Sequence, residues 1–218
     1  MPAQKIFWED PYLTEHTARV TSVNGNTITL DQTIFYAASG GQESDSGSIG
    51  GIKVLRAEKK DAEIYYTLDG PHDLMVGDEV LVNIDWTRRY RLMRLHFAAE
   101  IVLELVSQVF DRPFKIGANI AEDKARIDFR WEGRISDAFP VLLERAGKLI
   151  EADLPIRSEY NNREQEQRYW EIEGFAQVSC GGTHLRRTGE VGKIRLKRNN
   201  IGKGKERIEI YLEEQAVA

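Results

Sequence analysis

The sequence predicts an α+β protein in which a small β-barrel, residues 1–86, precedes an α+β domain, residues 87–218, with a long helix packed on an antiparallel sheet. Two patterns lead to this prediction. Up to Trp86, short runs of β-branched residues are separated by regular turn signals, which is typical of a small barrel. Beyond Trp86, apolar residues recur at three- and four-residue steps, which indicates an amphipathic helix. The length of 218 residues allows two modest domains.

Turn residues place the strands of the first domain. β-branched residues lie on both sides of Asn24-Gly25, which is a strong hairpin signal within Ala18–Leu30. Ile52–Arg56 and Glu63–Leu68 have the pattern of a second hairpin, and Glu79–Trp86 has that of a further strand. Several short strands with regular turns therefore predict a barrel.

A polar, glycine-rich segment, Phe35–Gly47, lies between the two predicted hairpins. It is either a flexible loop or a loop that brings its backbone and Gln42 close to a ligand, and the residues alone leave both interpretations open. It is not a phosphate-binding loop, because no Gly-Lys-Ser/Thr follows it.

The second domain is predicted from helical periodicity followed by alternating strands. The long helix is expected to end near Phe110, since Pro113 follows. The remaining expected elements are paired strands over Phe114–Ile120 and Lys124–Trp131, a helix from Ser136 to Ala152, a polar stretch over Asn161–Arg168, and strands over Val191–Lys197 and Arg207–Leu212.

Composition and the cysteine count indicate the cellular compartment in which we expect the protein. Residues Met1–Asp10 lack the apolar core that a signal peptide needs, and the apolar stretch Phe97–Phe110 is interrupted by acidic residues and is too short to span a bilayer. Cys180 is the single cysteine, so it cannot form an internal disulfide. We therefore expect a cytoplasmic protein without a membrane partner.

Four residues in two distant segments could hold a metal ion. Cys180 and His184 flank two glycines, which would let the backbone fold tightly between a thiolate and an imidazole. His96 and Glu100 have i,i+4 spacing on the predicted helix, which places their Cβ atoms about 6 Å apart. Together they predict one zinc ion per chain, although a core cysteine and a solvated His/Glu pair are the simpler explanations. His16 and His72 are expected at the surface.

Basic residues are concentrated beside both half-sites. Nine basic and two acidic residues lie between Arg186 and Arg207, although the net charge of the chain is −5. A nucleic-acid substrate would explain such clusters, and solvated, salt-bridged surface is the alternative. The residues expected to contact phosphates are Arg88, Arg89, Lys193, Lys197 and Lys203.

The second half of the chain resembles the freestanding alanyl-tRNA editing proteins, the AlaX family, which are similar to the editing domain of alanyl-tRNA synthetase. Cys180-Gly181-Gly182-Thr183-His184, followed by Thr188-Gly189-Glu190-Val191-Gly192, is similar to the family's Cys-Gly-Gly-Thr-His and Thr-Gly-Glu-Ile-Gly run. Arg94 to Glu100 resembles its Arg-x-His-x-x-x-His segment, and Arg207-Ile208-Glu209 resembles its closing strand. The run Phe35-Tyr36 to Gly40-Gly41-Gln42, with Asp45 and Gly47, resembles the glycine-rich motif of the longer members, which carry an N-terminal β-barrel.

The resemblance implies a zinc-dependent hydrolase that deacylates misacylated tRNA(Ala) at the acceptor end. Serine is the expected wrong amino acid, glycine the second candidate, and Ala-tRNA(Ala) would be spared. Implied substrate-binding residues are Gly40, Gly41, Gln42, Asp45, Phe97 and Thr183, with Gln42 and Glu100 as catalytic candidates.

Two positions depart from the family pattern. Glu100 stands where a second histidine is usual, and it is expected to be either a fourth zinc ligand or a general base. Phe97 and Ala99 stand where the family often has threonines implicated in recognising serine. A non-catalytic RNA-binding module with a structural zinc and a metallohydrolase of small aminoacyl esters are the alternative functions. The sequence does not identify any protein partner.

Overall fold

The computed structural model describes residues 2–213, and its helices and antiparallel sheets confirm the predicted α+β class. The chain divides into two compact units, one ending at Arg91 and the other beginning at Leu92. The outer ends of the two predicted domains, residue 1 and residues 214–218, lie outside the described residues.

Most of the regular secondary structure of the first unit is β-strand. The strands are β1 (Gln4–Lys5), β2 (Glu15–Asn24), β3 (Thr27–Leu30), β4 (Gln32–Thr33), β5 (Gly47–Ile49), β6 (Ile52–Lys60), β7 (Glu63–Leu68) and β8 (Glu79–Ile84). Six of them pair in the closed barrel order β2-β3-β7-β6-β5-β8, while β1 and β4 form a separate parallel pair.

Both predicted hairpins are present in the first unit. Asn24 pairs with Thr27, and Gly25 between them has a positive φ of 57°, which glycine adopts without steric cost. Strands β6 and β7 form the second hairpin. Strand β8 ends earlier than expected, because Trp86 is the first residue of a helix and not the last of a strand.

A buried ion pair anchors the glycine-rich segment in the first unit. Arg89 donates from Nε to Asp45 Oδ1 at 2.8 Å and from Nη2 to Asp45 Oδ2, and neither side chain has any exposed surface. Its other donors reach the carbonyls of Pro11 at 2.9 Å and Ile34 at 2.6 Å. Asp45 Oδ2 also accepts from the backbone N–H of Tyr36 at 2.7 Å. Such a pair persists in the interior because its polar atoms are satisfied.

The second unit contains both helices and two sheets. Its elements are the larger part of helix α1 (Trp86–Val109), β9 (Lys115–Ile120), β10 (Ala125–Arg130), α2 (Phe139–Glu151), β11 (Arg157–Asn162), β12 (Gln167–Ile172), β13 (Ala176–Ser179), β14 (Ile194–Gly202) and β15 (Lys205–Leu212). One antiparallel sheet has the order β14-β15-β10-β9, and the other has the order β11-β12-β13.

The long helix differs from its prediction in which side chains it buries. Beyond Leu92, side chains outside the predicted stripe, such as Met93, Phe97 and Ile101, are also fully buried, so the helix is enclosed on more than one side. Phe97 packs edge-on against Trp170 of β12, with ring centroids 5.2 Å apart. Among residues 2–213, no helix is long and apolar enough to cross a bilayer.

The three-stranded sheet was not predicted. Its strands are rich in charged and polar residues. Asn161–Arg168, for which only a polar stretch was expected, forms the end of β11, a turn and the start of β12. The turn is closed by the N–H of Gln165, which donates to Asn162 Oδ1 at 3.0 Å. This sheet matters for the site, because β13 leads directly to Cys180.

We expect the buried pair to be essential for the stability of the first unit. Asp45→Ala should lower the free energy of unfolding by about 3–5 kcal/mol, because it leaves the Arg89 guanidinium buried and uncompensated. Chemical denaturation measures this change. Glu79→Ala, which removes the partner of Arg19 in a pair whose side chains are 54% and 66% exposed, is the control and should cost at most about 1 kcal/mol. Equal losses in the two variants would contradict the prediction.

Candidate metal centre

Three side chains from separate parts of the second unit converge. His96 lies on α1, Cys180 follows β13, and His184 lies four residues further on. Their potential ligand atoms all lie within 4.8 Å of one another, and His96 Nε2 is 3.2 Å from Cys180 Sγ. Both histidines are buried and the cysteine is half-buried. Two imidazole nitrogens and one sulfur form a donor set that suits a borderline-soft divalent metal.

The two nitrogens of His184 have different surroundings. Nδ1 lies 2.9 Å from Ser158 Oγ on β11. Nε2 is buried and finds no hydrogen-bond partner within residues 2–213. A buried polar atom without a partner is unfavourable, and a metal ion at the cluster would satisfy it. The residues present therefore fit a metal, and Ser158 orients the His184 ring by holding Nδ1, the nitrogen opposite Nε2.

Glu100 lies beside the three-residue cluster. One carboxylate oxygen is 3.3 Å from His96 Nε2, the same nitrogen that contacts Cys180. The other oxygen accepts a hydrogen bond from Trp170 Nε1 at 3.3 Å. The i,i+4 spacing thus brings Glu100 to His96, as the sequence indicated, and the geometry suits either a ligand or a base.

Burial and neighbouring charges shift the pKa values of this group. Burial lowers the pKa of His96, but the charge and hydrogen bonds of Cys180 and Glu100 outweigh it and raise the value to about 10. Burial raises the pKa of Glu100, yet its contacts with His96 lower it to about 2. Burial, followed by the charge of His96, holds the pKa of His184 well below its ordinary value. His184 is therefore neutral, which is the form that binds metals, whereas a metal would have to displace the proton of His96.

A glycine is required at position 182 because the backbone there lies close to the His96 ring. A Cβ atom on Gly182 would lie 2.2 Å from His96 Cε1 and less than 3 Å from both ring nitrogens. The backbone at Gly182 does not adopt a positive φ. The reason for this glycine is thus close approach of the ring and not the tight turn that the sequence suggested.

The Thr188–Gly192 run is hydrogen-bonded to α1, to α2 and to the segment that follows α2. Thr188 Oγ1 donates to the carbonyl of Leu149 at 2.7 Å and accepts from the N–H of Leu154 at 2.8 Å. Arg94 Nε, from the helix that carries His96, donates to the carbonyl of Val191 at 3.1 Å. These bonds hold the run against α1 and α2, so its role is structural.

Arg168 is a residue near the cluster that the sequence did not single out. It is 5% exposed, and its Nη2 donates to the carbonyl of Ser158 at 3.3 Å. Burial lowers its pKa, while the nearby Tyr160 and Cys180 partly restore it. Arg168, Ser158 and Trp170 all come from the unpredicted sheet, so no sequence motif pointed to them.

The expected substrate-binding residues are divided between the two units. Phe97 and Thr183 are 0% and 1% exposed, and the ring of Phe97 packs against His184 with centroids 6.0 Å apart. In the first unit, Gly40 and Gly41 have φ values of 60° and 90°, and Gln42 is 2% exposed. Asp45 is committed to the ion pair with Arg89.

The expected phosphate-binding residues also separate into two groups. Lys193, Lys197 and Lys203 are exposed in the second unit. Arg88, in the first unit, pairs with Glu43 at 2.8 Å. Arg89 does not fit the expected role, because its guanidinium is enclosed and fully bonded. His16 and His72, expected at the surface, are half-buried.

Two segments match known protein families. Residues 7–88 match the tRNA synthetases class II (A) family, and residues 171–209 match the threonyl and alanyl tRNA synthetase second additional domain. The first segment covers most of the barrel unit, and the second contains Cys180 and His184. Both matches relate the chain to the aminoacyl-tRNA synthetases.

Similar full-length proteins narrow this relationship. The alanyl-tRNA editing protein AlaX-M of Pyrococcus horikoshii is 34% identical over 96% of this chain and 98% of its own length. AlaX-M of Saccharolobus solfataricus is 31% identical over 94% of this chain and 97% of its length. The alanine–tRNA ligase of Ignicoccus hospitalis is 35% identical over 89% of this chain, which spans 24% of the ligase. The chain therefore belongs to the AlaX family of alanyl-tRNA editing proteins.

We expect Gly182→Ala to weaken metal binding by about tenfold or more, because the new methyl group would displace the His96 ring. Competition titration of a divalent metal against a coloured chelator measures the affinity. Gly147→Ala is the matched control: it lies on α2 with no atom within 4 Å of the added methyl, so metal affinity should be unchanged. Wild-type affinity in Gly182→Ala would mean that the close approach is not needed for metal binding.

Proposed function

We propose that this protein hydrolyses the ester of a wrong amino acid on tRNA(Ala), with one bound zinc ion, and spares Ala-tRNA(Ala). One observation carries the proposal: His96, Cys180 and His184 converge in a chain that aligns along nearly its whole length with an alanyl-tRNA editing protein. Ser-tRNA(Ala) is the preferred substrate and Gly-tRNA(Ala) the second. Such a substrate implies action in the cytoplasm.

His96, Cys180 and His184 would hold the zinc, since nitrogen and sulfur are its usual ligands. Zinc with three protein ligands supplies Lewis acidity and lowers the pKa of a bound water to about 7. His184 would use its buried Nε2, with Ser158 holding the opposite nitrogen. Arg168 would stabilise the negative charge of the cluster.

Glu100 is proposed as an exchangeable fourth ligand, with a general base as its alternative role. One of its oxygens lies 3.3 Å from a single ligand atom, His96 Nε2, and Trp170 donates to the other oxygen. Because the pKa of Glu100 is lowered to about 2, it is ionised at neutral pH, as either role requires. The same low pKa makes it a weak base, which favours the ligand role.

The amino-acid pocket would involve Gly40, Gly41 and Gln42, with Gln42 as a catalytic candidate. Asp45 would support these residues within the first unit, since its side chain is fully buried. In the second unit, the buried Phe97 and Thr183 are proposed as further amino-acid-binding residues. A pocket that hydrogen-bonds a substrate hydroxyl can reject its absence by about 10⁴-fold, whereas a missing methyl group gives only about 10–200-fold. Serine is therefore easier to separate from alanine than glycine is.

The acceptor end of tRNA would be held by phosphate contacts from Arg88, Lys193, Lys197 and Lys203. Their cationic side chains are at least partly accessible. Arg89 is left out of this set because it is enclosed.

A non-catalytic RNA-binding module is the second candidate. The approach of Glu100 to His96 favours it, because four protein ligands would close a tetrahedral zinc, as in structural sites. A hydrolase of small aminoacyl esters is the third candidate, and it differs in needing no RNA.

The decisive experiment is deacylation of matched esters by protein whose zinc content is measured. We expect Ser-tRNA(Ala) to be hydrolysed much faster than Ala-tRNA(Ala), and Cys180→Ala to lose both zinc and activity. Equal rates on the two esters would refute editing, since the correct product would be destroyed. Zinc without any hydrolysis would support the RNA-binding module. Equally fast hydrolysis of seryl-adenosine and Ser-tRNA(Ala) would support the small-ester hydrolase.

Two substitutions separate the roles of Glu100. As a ligand, Glu100 should tolerate Glu100→His with zinc retained, whereas Glu100→Gln should weaken zinc binding because an amide is a poor ligand. As a general base, it should keep zinc in both variants while the rate falls about 10²–10⁴-fold. Zinc content and single-turnover rates distinguish the two. Full zinc and full activity in both variants would remove Glu100 from the site.

A further inference from the structure

The four-stranded sheet has one apolar face and one charged face. Leu196, Ile210 and Ile127 belong to the apolar face and are buried. On the other face, direct strand partners lie side by side, because paired residues of antiparallel strands point the same way. The rows are Arg195 with Tyr211, Lys197 with Glu209 and Arg126, and Asn199 with Arg207 and Asp128.

The part of the charged face around Glu209 and Asp128 carries five cations and these two carboxylates, and Arg130 with Lys205 forms a further cationic row. We define the basic sheet face as Lys124, Arg126, Arg195, Lys197 and Arg207. Lys124 joins it through Glu209, with Nζ 2.9 Å from the carboxylate. Arg126 and Arg207 pair with Asp128 at 2.7 Å and 2.6 Å. Three positive charges are therefore in excess in this part of the face, although the whole chain has a net charge of −5.

The cationic side chains on this face are more exposed to solvent than the carboxylates with which they pair. Glu209 and Asp128 are 4% and 7% exposed. The side chains of Lys124 and Arg126 are about one-third exposed, and Arg195 and Lys197 are exposed residues. The outermost layer of the face is thus cationic, which is the charge pattern that a polyanion requires.

Tyr211, the aromatic ring within the strand pairs of the face, is already covered, and the exposed Phe114 at its edge has Arg130 over its ring at 5.2 Å. Arg195 lies over Tyr211 at 4.3 Å and Lys124 over it at 5.8 Å. Sheets that bind single-stranded RNA present open rings on which bases stack. Double-helical RNA is recognised through its phosphates, 2′-hydroxyls and shape. A cationic surface that is three strands, or about 10 Å, across suits a duplex backbone better than unpaired bases.

We propose that the basic sheet face binds the phosphate backbone of a double-helical part of RNA. The inference rests on the proposed function only in taking RNA as the partner. Lys197 was already proposed as a phosphate contact. The inference adds four further residues from distant segments, which are Lys124, Arg126, Arg195 and Arg207. Lys193 and Lys203 flank β14 and extend the same charge along the sheet.

The test measures binding of unacylated RNA, so it needs no hydrolysis. The probes are a blunt-ended RNA duplex and a single strand of the same length. The variant is Arg195→Gln with Lys197→Gln. The matched control is Arg56→Gln with Lys148→Gln, which removes one arginine and one lysine whose side chains are 69% and 72% exposed elsewhere. Thermal unfolding verifies that both variants fold.

We expect wild-type protein to bind the duplex more tightly than the single strand. The sheet-face variant should bind the duplex about tenfold or more weakly, with a log–log salt slope reduced by about 1.4–1.8 for two lost contacts. The control variant should bind as wild type does.

Three results would overturn the inference: an unchanged salt slope in the sheet-face variant, an equal loss in the control, or tighter binding of the single strand. Absence of deacylation together with face-dependent duplex binding would refute the proposed hydrolase and leave the inference standing. Deacylation together with duplex binding that is unchanged in the sheet-face variant would support the proposed hydrolase and refute the inference.

Discussion

The position of the His96 imidazole is the constraint on which the candidate site depends. One face of the ring lies against the backbone of Gly182, and its Nε2 contacts both Cys180 and Glu100. The ring of His184 packs edge-on at 5.4 Å. A shift of this one ring would therefore change the geometry of every other donor. Arg94, two residues before His96 on α1, ties the same helix to Val191 and limits such a shift.

Burial decides what each charged residue can do. Arg89 and Arg88 are adjacent in sequence, yet one is enclosed by Asp45 and two carbonyls while the other pairs at the partly exposed edge. Arg168 is buried beside the cluster, so its charge acts at short range in a medium of low dielectric constant. Glu209 and Asp128 are covered by cations, and the sheet surface becomes positive on an acidic protein. A charge count by segment cannot distinguish these cases.

Local patterns predicted much of the fold and the main members of the site. The Asn24-Gly25 turn, the β6–β7 hairpin, the C-terminal end of α1 and the strands β9, β10, β14 and β15 follow from short-range rules on turns and periodicity. The convergence of His96 with Cys180 and His184 was predicted from donor chemistry and spacing. The strands β11–β13 were missed because their charged residues mask the alternation that marks a buried strand face. Ser158, Trp170 and Arg168 were missed with them, since tertiary packing alone brings them to the site.

The single cysteine has a practical consequence. Cys180 is the only thiol in the chain, and it lies at the centre of the donor cluster. Any absorption band from a sulfur-to-metal transition, and any reaction with a thiol reagent, therefore originates at this one place. Cys180 can therefore serve as a spectroscopic probe of the site, and no other cysteine has to be removed before its signal is measured.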